Sequence, residues 1–119
     1  MSSTVTIADL VSGPGPIDLD HLARMTCGES ALEREVLALF LRQSATLGAA
    51  LTDASGETAR LAHTLKGSAR AIGAFRLADC AAAVEEAARR GTDPEAELAG
   101  LRAALTEATR AIEALLSRA

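Results

Sequence analysis

Residues 61–73 read Leu61-Ala62-His63-Thr64-Leu65-Lys66-Gly67-Ser68-Ala69-Arg70-Ala71-Ile72-Gly73, and their spacing decides the fold class. Leu61, Leu65, Ser68 and Ile72 recur at i, i+4, i+7 and i+11, which is one face of an α-helix and the face expected to meet a core. His63, Lys66, Gly67 and Arg70 fall at i, i+3, i+4 and i+7 on a different face, expected to point toward water. The spacing predicts a helix over about 57–72, ended by Gly73 and preceded by the breaker stretch Asp53-Ala54-Ser55-Gly56.

The same reading extends in both directions. Downstream, a helix from Phe75 to Arg90 places Leu77, Ala81, Val84 and Ala88 inward and stops at Gly91, where a left-handed cap is needed. Asp93 as cap and Pro94 at the first helical position then open another, in which Leu98, Leu101, Leu105, Ala108, Ile112 and Leu115 alternate in steps of three and four. Upstream, Ser30-Ala31-Leu32-Glu33 fits a capping box and predicts a helix over 31–52. Its stripe is Leu32, Val36, Phe40, Leu47 and Leu51, widened by Leu39. Ahead of it Asp18 caps a short helix, Leu19 to Thr26, with Leu19 and Leu22 on one side and Asp20, His21 and Arg24 on the other. Cys27-Gly28 breaks that helix. Gly13-Pro14-Gly15-Pro16 separates an N-terminal tail, 1–16, from a domain over 17–119. Long amphipathic helices with short connections predict an all-α, antiparallel up-down-up-down four-helix bundle with the short extra helix across one end.

Composition agrees. Of 119 residues, 27 are Ala and 17 Leu, against only 8 Val and Ile, a ratio that favours helix over sheet. At roughly 100–150 residues per domain, the chain encloses one core and no more. Two Phe, no Trp or Tyr and a net charge of −4 remove both the stacking platforms and the positive footprint that nucleic acid requires. Cys27 and Cys80 lack zinc spacing and are too few for a disulfide scaffold, so they read as free thiols in a reducing cytoplasm. No run of 18 apolar residues and no export signal is present, so no membrane association is expected.

The exposed face of the 61–73 helix carries the chemistry. Lys66 is the only lysine, the other eleven basic residues being arginine. A compact ammonium one turn from His63 suits a point contact to a phosphoryl oxygen. Gly67 costs about 1 kcal/mol relative to Ala within a helix, in a chain that uses Ala everywhere else, so something needs the space. If the following turn centres on Ala74, antiparallel packing sets His63 opposite Glu85, each eleven residues from the turn, about 16 Å of helix. Glu85 could then accept the Nδ1 hydrogen, fix the tautomer and leave Nε2 as nucleophile. A slip of a residue or more would make Glu86 or Ala82 the neighbour instead, with Glu85 a surface carboxylate. The same arithmetic puts Ala82 opposite Lys66 and Ala78 opposite Arg70. Arg70 reads as a solvated or partner-facing charge. His21, beside Asp18 and Asp20, has no third metal ligand at helical spacing. No GxxxxGK[ST] loop is present, so neither ATP binding nor self-phosphorylation is expected.

The run His63-Thr64-Leu65-Lys66-Gly67-Ser68, followed by Ile72-Gly73-Ala74, resembles the histidine phosphotransfer domain family of bacterial two-component phosphorelays. The resemblance covers about residues 17 to 118. It implies that His63 is the phosphoacceptor at Nε2, that Lys66 neutralises phosphoryl charge, that Gly67 gives a partner access, and that Glu85 orients the ring. Glu in that place is the variant better known from chemotaxis-kinase phosphotransfer domains, where many relay domains have Gln. The partners implied are a sensor or hybrid histidine kinase and a response-regulator receiver aspartate. No cofactor is expected on this chain, with Mg²⁺ on the receiver, and the protein is a phosphoryl carrier rather than an enzyme. A monomer is expected, because one amphipathic face per helix is what an intramolecular bundle uses. Two other readings are a non-phosphorylated adaptor for a receiver or kinase, and an interaction-only bundle in which His63 and Lys66 are incidental.

Overall fold

The computed structural model describes residues 15–51 and 56–118. Among them are five helices and no strand: α1 (Leu19–Met25), α2 (Ser30–Ala50), α3 (Thr58–Ile72), α4 (Phe75–Arg89) and α5 (Glu95–Ser117). The predicted tail lies almost wholly outside the described residues, as do Thr52 and most of the predicted α2–α3 breaker.

Asp18 caps α1 as its sequence indicates, its carboxylate accepting from His21 N–H at 3.1 Å. The capping box does not form. Glu29 is the α2 N-cap, no side chain bonds the helix start, and Ser30 is already helical. At α5 the start lies one residue later than its sequence indicates: Pro94 is the N-cap and Glu95 the first helical residue, while Asp93 Oδ1 still accepts from Glu95 N–H at 3.1 Å.

The burial of α2 corrects the expected stripe. Leu37, Phe40, Ser44 and Leu51 are buried, whereas Leu32 and Leu39 are exposed. Leucines at 32, 37, 39, 41, 47 and 51 allow two competing stripes in this weakly amphipathic helix, and the neighbouring helices choose between them. Ser44 is tolerated inside because its hydroxyl donates to Leu41 C=O at 3.1 Å. In α1, Leu22 is buried but Leu19, grouped with it by spacing, is exposed, while His21 from the other group is half-buried with its ring edge-on to Phe75 at 5.1 Å. In α3 the buried face centres on Ala62, Leu65, Ala69 and Ile72, with Leu61 and Ser68 at its half-buried margin. In α4, Ala78, Glu85 and Ala87 join Leu77, Ala81 and Val84 inside, and Ala88 is half-buried.

These side chains form one apolar core with Leu98, Leu101, Ala108 and Ile112 of α5. Each fully buried Leu contributes about 1.5–3 kcal/mol. Helix α4 packs between α3 and α5, and α2 closes the arrangement against both α3 and α5. The α2 and α5 axes run in opposite senses. Arg34, near the start of α2, donates to Leu116 C=O at 2.6 Å at the end of α5, while a Cβ on Gly48 would meet Leu105 Cδ2 at 3.1 Å.

The α3–α4 hairpin fixes the site. Gly73 ends α3 with φ 86°, in the left-handed region. A Cβ there would lie 2.8 Å from Asp18 C=O, and Asp18 N–H donates to Gly73 C=O at 2.9 Å. One glycine therefore makes the reversal and admits the lead into α1, which packs against α3.

Candidate functional site

The tight turn at Gly73 and Ala74 sets the register of α3 against α4, and that register brings three of the singled-out side chains together. His63 Nδ1 lies 2.9 Å from Glu85 Oε2, and Lys66 Nζ donates to Glu85 Oε1 at 2.8 Å. Glu85 comes from α4, and His63 and Lys66 stand one turn apart on α3. Each carboxylate oxygen thus holds one of the α3 side chains.

Accessibility separates their roles. The His63 side chain is 60% exposed and that of Glu85 only 10%. Lys66 departs from expectation: its side chain is 19% exposed, folded back onto Glu85 rather than extended to water. The Glu85 carboxylate lies within reach of the ammonium and accepts a charge-assisted hydrogen bond from it, which leaves neither charge buried without a partner. Gly67 is exposed, and a Cβ on it would meet nothing within 4 Å. The chain's own packing does not demand a glycine at that position.

Arg89 was not anticipated. Its guanidinium reaches Glu85 Oε2 at 2.8 Å from one turn farther along α4, with a side chain 63% exposed. The i, i+4 spacing of Glu85 and Arg89 was the available signal. Arg70 is exposed, as expected of it.

The hydrogen bond from Lys66 is the largest cause holding the Glu85 carboxyl below its ordinary value. Burial opposes it, and the His63 hydrogen bond and the charges of Lys66 and His63 add to the lowering. An ionised carboxylate only accepts, so His63 Nδ1 carries the hydrogen of the 2.9 Å contact. A neutral ring then has its lone pair on Nε2, on an exposed side chain. This arrangement makes a ring nitrogen available as a nucleophile and supplies a negative group against any positive charge the ring acquires.

A family model for the Hpt domain matches residues 35–118. The chain belongs to the Hpt domain family. No curated protein and no solved structure gave a match. The matched span contains His63, Lys66, Gly67 and Glu85, and an Hpt domain is a phosphotransfer module of two-component signalling, a phosphoryl carrier rather than a catalyst, that works with kinase and receiver domains.

Other candidate chemistry is sparse. Among the described residues no group of three or more His, Cys, Asp or Glu is placed to share a metal ion, and no helix is long and apolar enough to cross a membrane. His21 Nε2 lies 3.2 Å from Ala71 C=O at the end of α3. Cys27 is exposed and Cys80 half-buried, both unpaired, and burial pushes the Cys80 thiol up, with Asp79 adding to it.

Proposed function

We propose that His63 accepts a phosphoryl group on Nε2, from a kinase histidine or a receiver aspartyl-phosphate, and passes it to a receiver aspartate. The observation that carries this reading is the exposed ring held at Nδ1 by a largely buried, ionised carboxylate. When an aspartyl-phosphate is the donor, Nε2 attacks phosphorus, the N–P bond forms, and the P–O bond breaks with its electron pair leaving on the aspartate carboxylate. The ring then bears positive charge, which Glu85 stabilises through the Nδ1 hydrogen. Lys66 is one turn away and leaves Glu85 Oε1 to neutralise the phosphoryl oxygens. Gly67 leaves the approach open, since a partner must bring its acceptor within bonding distance of Nε2. Mg²⁺ belongs to the receiver, whose carboxylates would hold it, and no metal or cofactor is assigned to this chain.

The architecture we assign to 17–119 is an up-down-up-down bundle of α2 to α5 with α1 across one end, acting as a monomer in the cytoplasm. The opposed senses of α2 and α5 and the α3–α4 hairpin support it. The test is incubation of wild type and His63→Gln with phosphorylated receivers and active sensor kinases, following label. Label on the wild type alone supports the relay. Retained binding with no label on either protein supports the non-phosphorylated adaptor instead.

A further inference from the structure

Charge is unevenly spread along this chain. Residues 36–78 hold five basic side chains, Arg42, Arg60, Lys66, Arg70 and Arg76, against two acidic ones, Asp53 and Glu57; the remaining residues hold seven basic against fourteen acidic. Helix α3 has no acidic residue at all. In a protein of net charge −4, His63 therefore lies in a net-positive stretch of the chain, and the remaining sequence is net negative.

The placement on α3 is specific. Arg60, His63, Gly67 and Arg70 follow one another at three- and four-residue steps, so the two arginines bracket the ring and the glycine over about 15 Å. Arg60, His63, Gly67 and Arg70 are all exposed. Beside this stripe lies a shallow, open depression of about 380 Å³, lined by Arg42, Gln43, Thr46 and Leu47 of α2 and by Thr64 of α3. Arg42 is exposed on its α2 side. Among the described residues no carboxylate pairs with Arg42 or Arg70, whereas Arg60 is held by Glu57 at 2.6 Å and Arg89 by Glu85 at 2.8 Å.

We infer that Arg42 and Arg70 form an electrostatic docking frame around His63, which selects receiver domains whose face around the acceptor aspartate is acidic. The inference rests on the phosphorelay reading and adds the chemistry by which a partner is chosen. A domain that holds Mg²⁺ beside an acceptor aspartate does so with carboxylates, so its transfer face is acidic to the extent that neighbouring residues add to them. Opposed patches raise the encounter rate and penalise partners of the wrong sign, while the negative remainder of the bundle disfavours docking elsewhere. Leu47, half-buried in the depression, adds an apolar contact beside the charges.

The test measures the second-order rate of phosphoryl transfer to this protein from a panel of receivers phosphorylated with acetyl phosphate, chosen to span neutral to strongly acidic faces. Arg42→Glu/Arg70→Glu is compared with Arg102→Glu/Arg110→Glu, which makes the same charge change at exposed positions of α5. For the acidic receivers, the first pair is expected to slow transfer by about tenfold or more at low salt and to flatten its salt dependence. The α5 pair should stay within about twofold of wild type, and neutral receivers should be slow throughout. Equal effects of the two pairs, or a wild-type rate indifferent to salt, would overturn the docking frame while leaving phosphotransfer intact. Binding of a DNA duplex through the same arginines, in preference to any receiver, would also overturn it. No transfer to wild type from any receiver, with the protein folded, would overturn the phosphorelay reading and the frame together.

Discussion

Glu85 Oε2 meets His63 Nδ1 at 2.9 Å while Glu85 Oε1 accepts from Lys66 at 2.8 Å, so a single carboxylate links the ring and the ammonium. The two contacts ask different things of it. The first needs an acceptor of any charge, the second an anion. Glu85→Gln keeps the acceptor and loses the anion; Glu85→Ala loses both. Single-turnover phosphorylation is expected to slow by about tenfold in Glu85→Ala, the equivalent of about 1.4 kcal/mol, and by less in Glu85→Gln. Equal rates in all three proteins would remove Glu85 from the chemistry.

Gly67 offers a test in which stability and activity move in opposite directions. A Cβ there touches nothing within 4 Å, and Ala is about 1 kcal/mol better than Gly in a helix. Gly67→Ala should therefore raise Tm by a few degrees, about 4 or more. Transfer should fall as the side chain grows, with Gly67→Leu folded but slower than wild type by more than about tenfold. Thermal melts with transfer rates on the same samples decide this. Undiminished transfer in Gly67→Leu would show that no partner approaches there.

Acid should weaken the hairpin through Glu85. Its carboxyl is held below its ordinary 4.5, mainly by Lys66, so its contribution to stability is complete above 4.5 and is lost as pH falls through the lower folded-state value. Urea midpoints measured from about pH 6 down to about pH 3 should drop less steeply in Glu85→Gln than in the wild type. Parallel curves would count against the ionised carboxylate.

At the turn, Gly73 combines φ 86° with Asp18 C=O lying 2.8 Å from any added Cβ. Gly73→Ala should cost about 1–3 kcal/mol, well beyond what an ordinary Gly→Ala exchange in a loop changes. Denaturant unfolding measures it. Because the same turn sets the register of Glu85 against His63, transfer in the variant should fall even where it remains folded.

Much of this site was legible because two local signals were strong. The glycine after Ile72 marks a reversal, and counting eleven residues to either side of Ala74 pairs His63 with Glu85. The i, i+3, i+4 and i+7 grouping of His63, Lys66, Gly67 and Arg70 likewise follows from helix geometry alone. What could not be read depends on competition in three dimensions. Lys66 shares a helix face with exposed residues yet turns inward, because a buried carboxylate is within its reach. Arg89 reaches that carboxylate from a position that resembles any exposed i, i+4 charge. In α2, Leu32 and Leu39 satisfy helical spacing as well as Leu37 and Phe40 do, so burial there was settled by α3 and α5 rather than by periodicity. Glu29 displaced Ser30 as the α2 cap by a single residue, the scale on which helix ends are least determined.

The central claim is that the phosphoryl group sits on Nε2 of His63 while Nδ1 keeps its hydrogen toward Glu85. Long-range proton–nitrogen NMR of the phosphorylated, ¹⁵N-labelled protein, with ³¹P detection, tests it directly. The account predicts phosphorus coupled to His63 Nε2 and a protonated Nδ1, with both signals absent in His63→Gln. Phosphorus on Nδ1, or on any other residue, would contradict it.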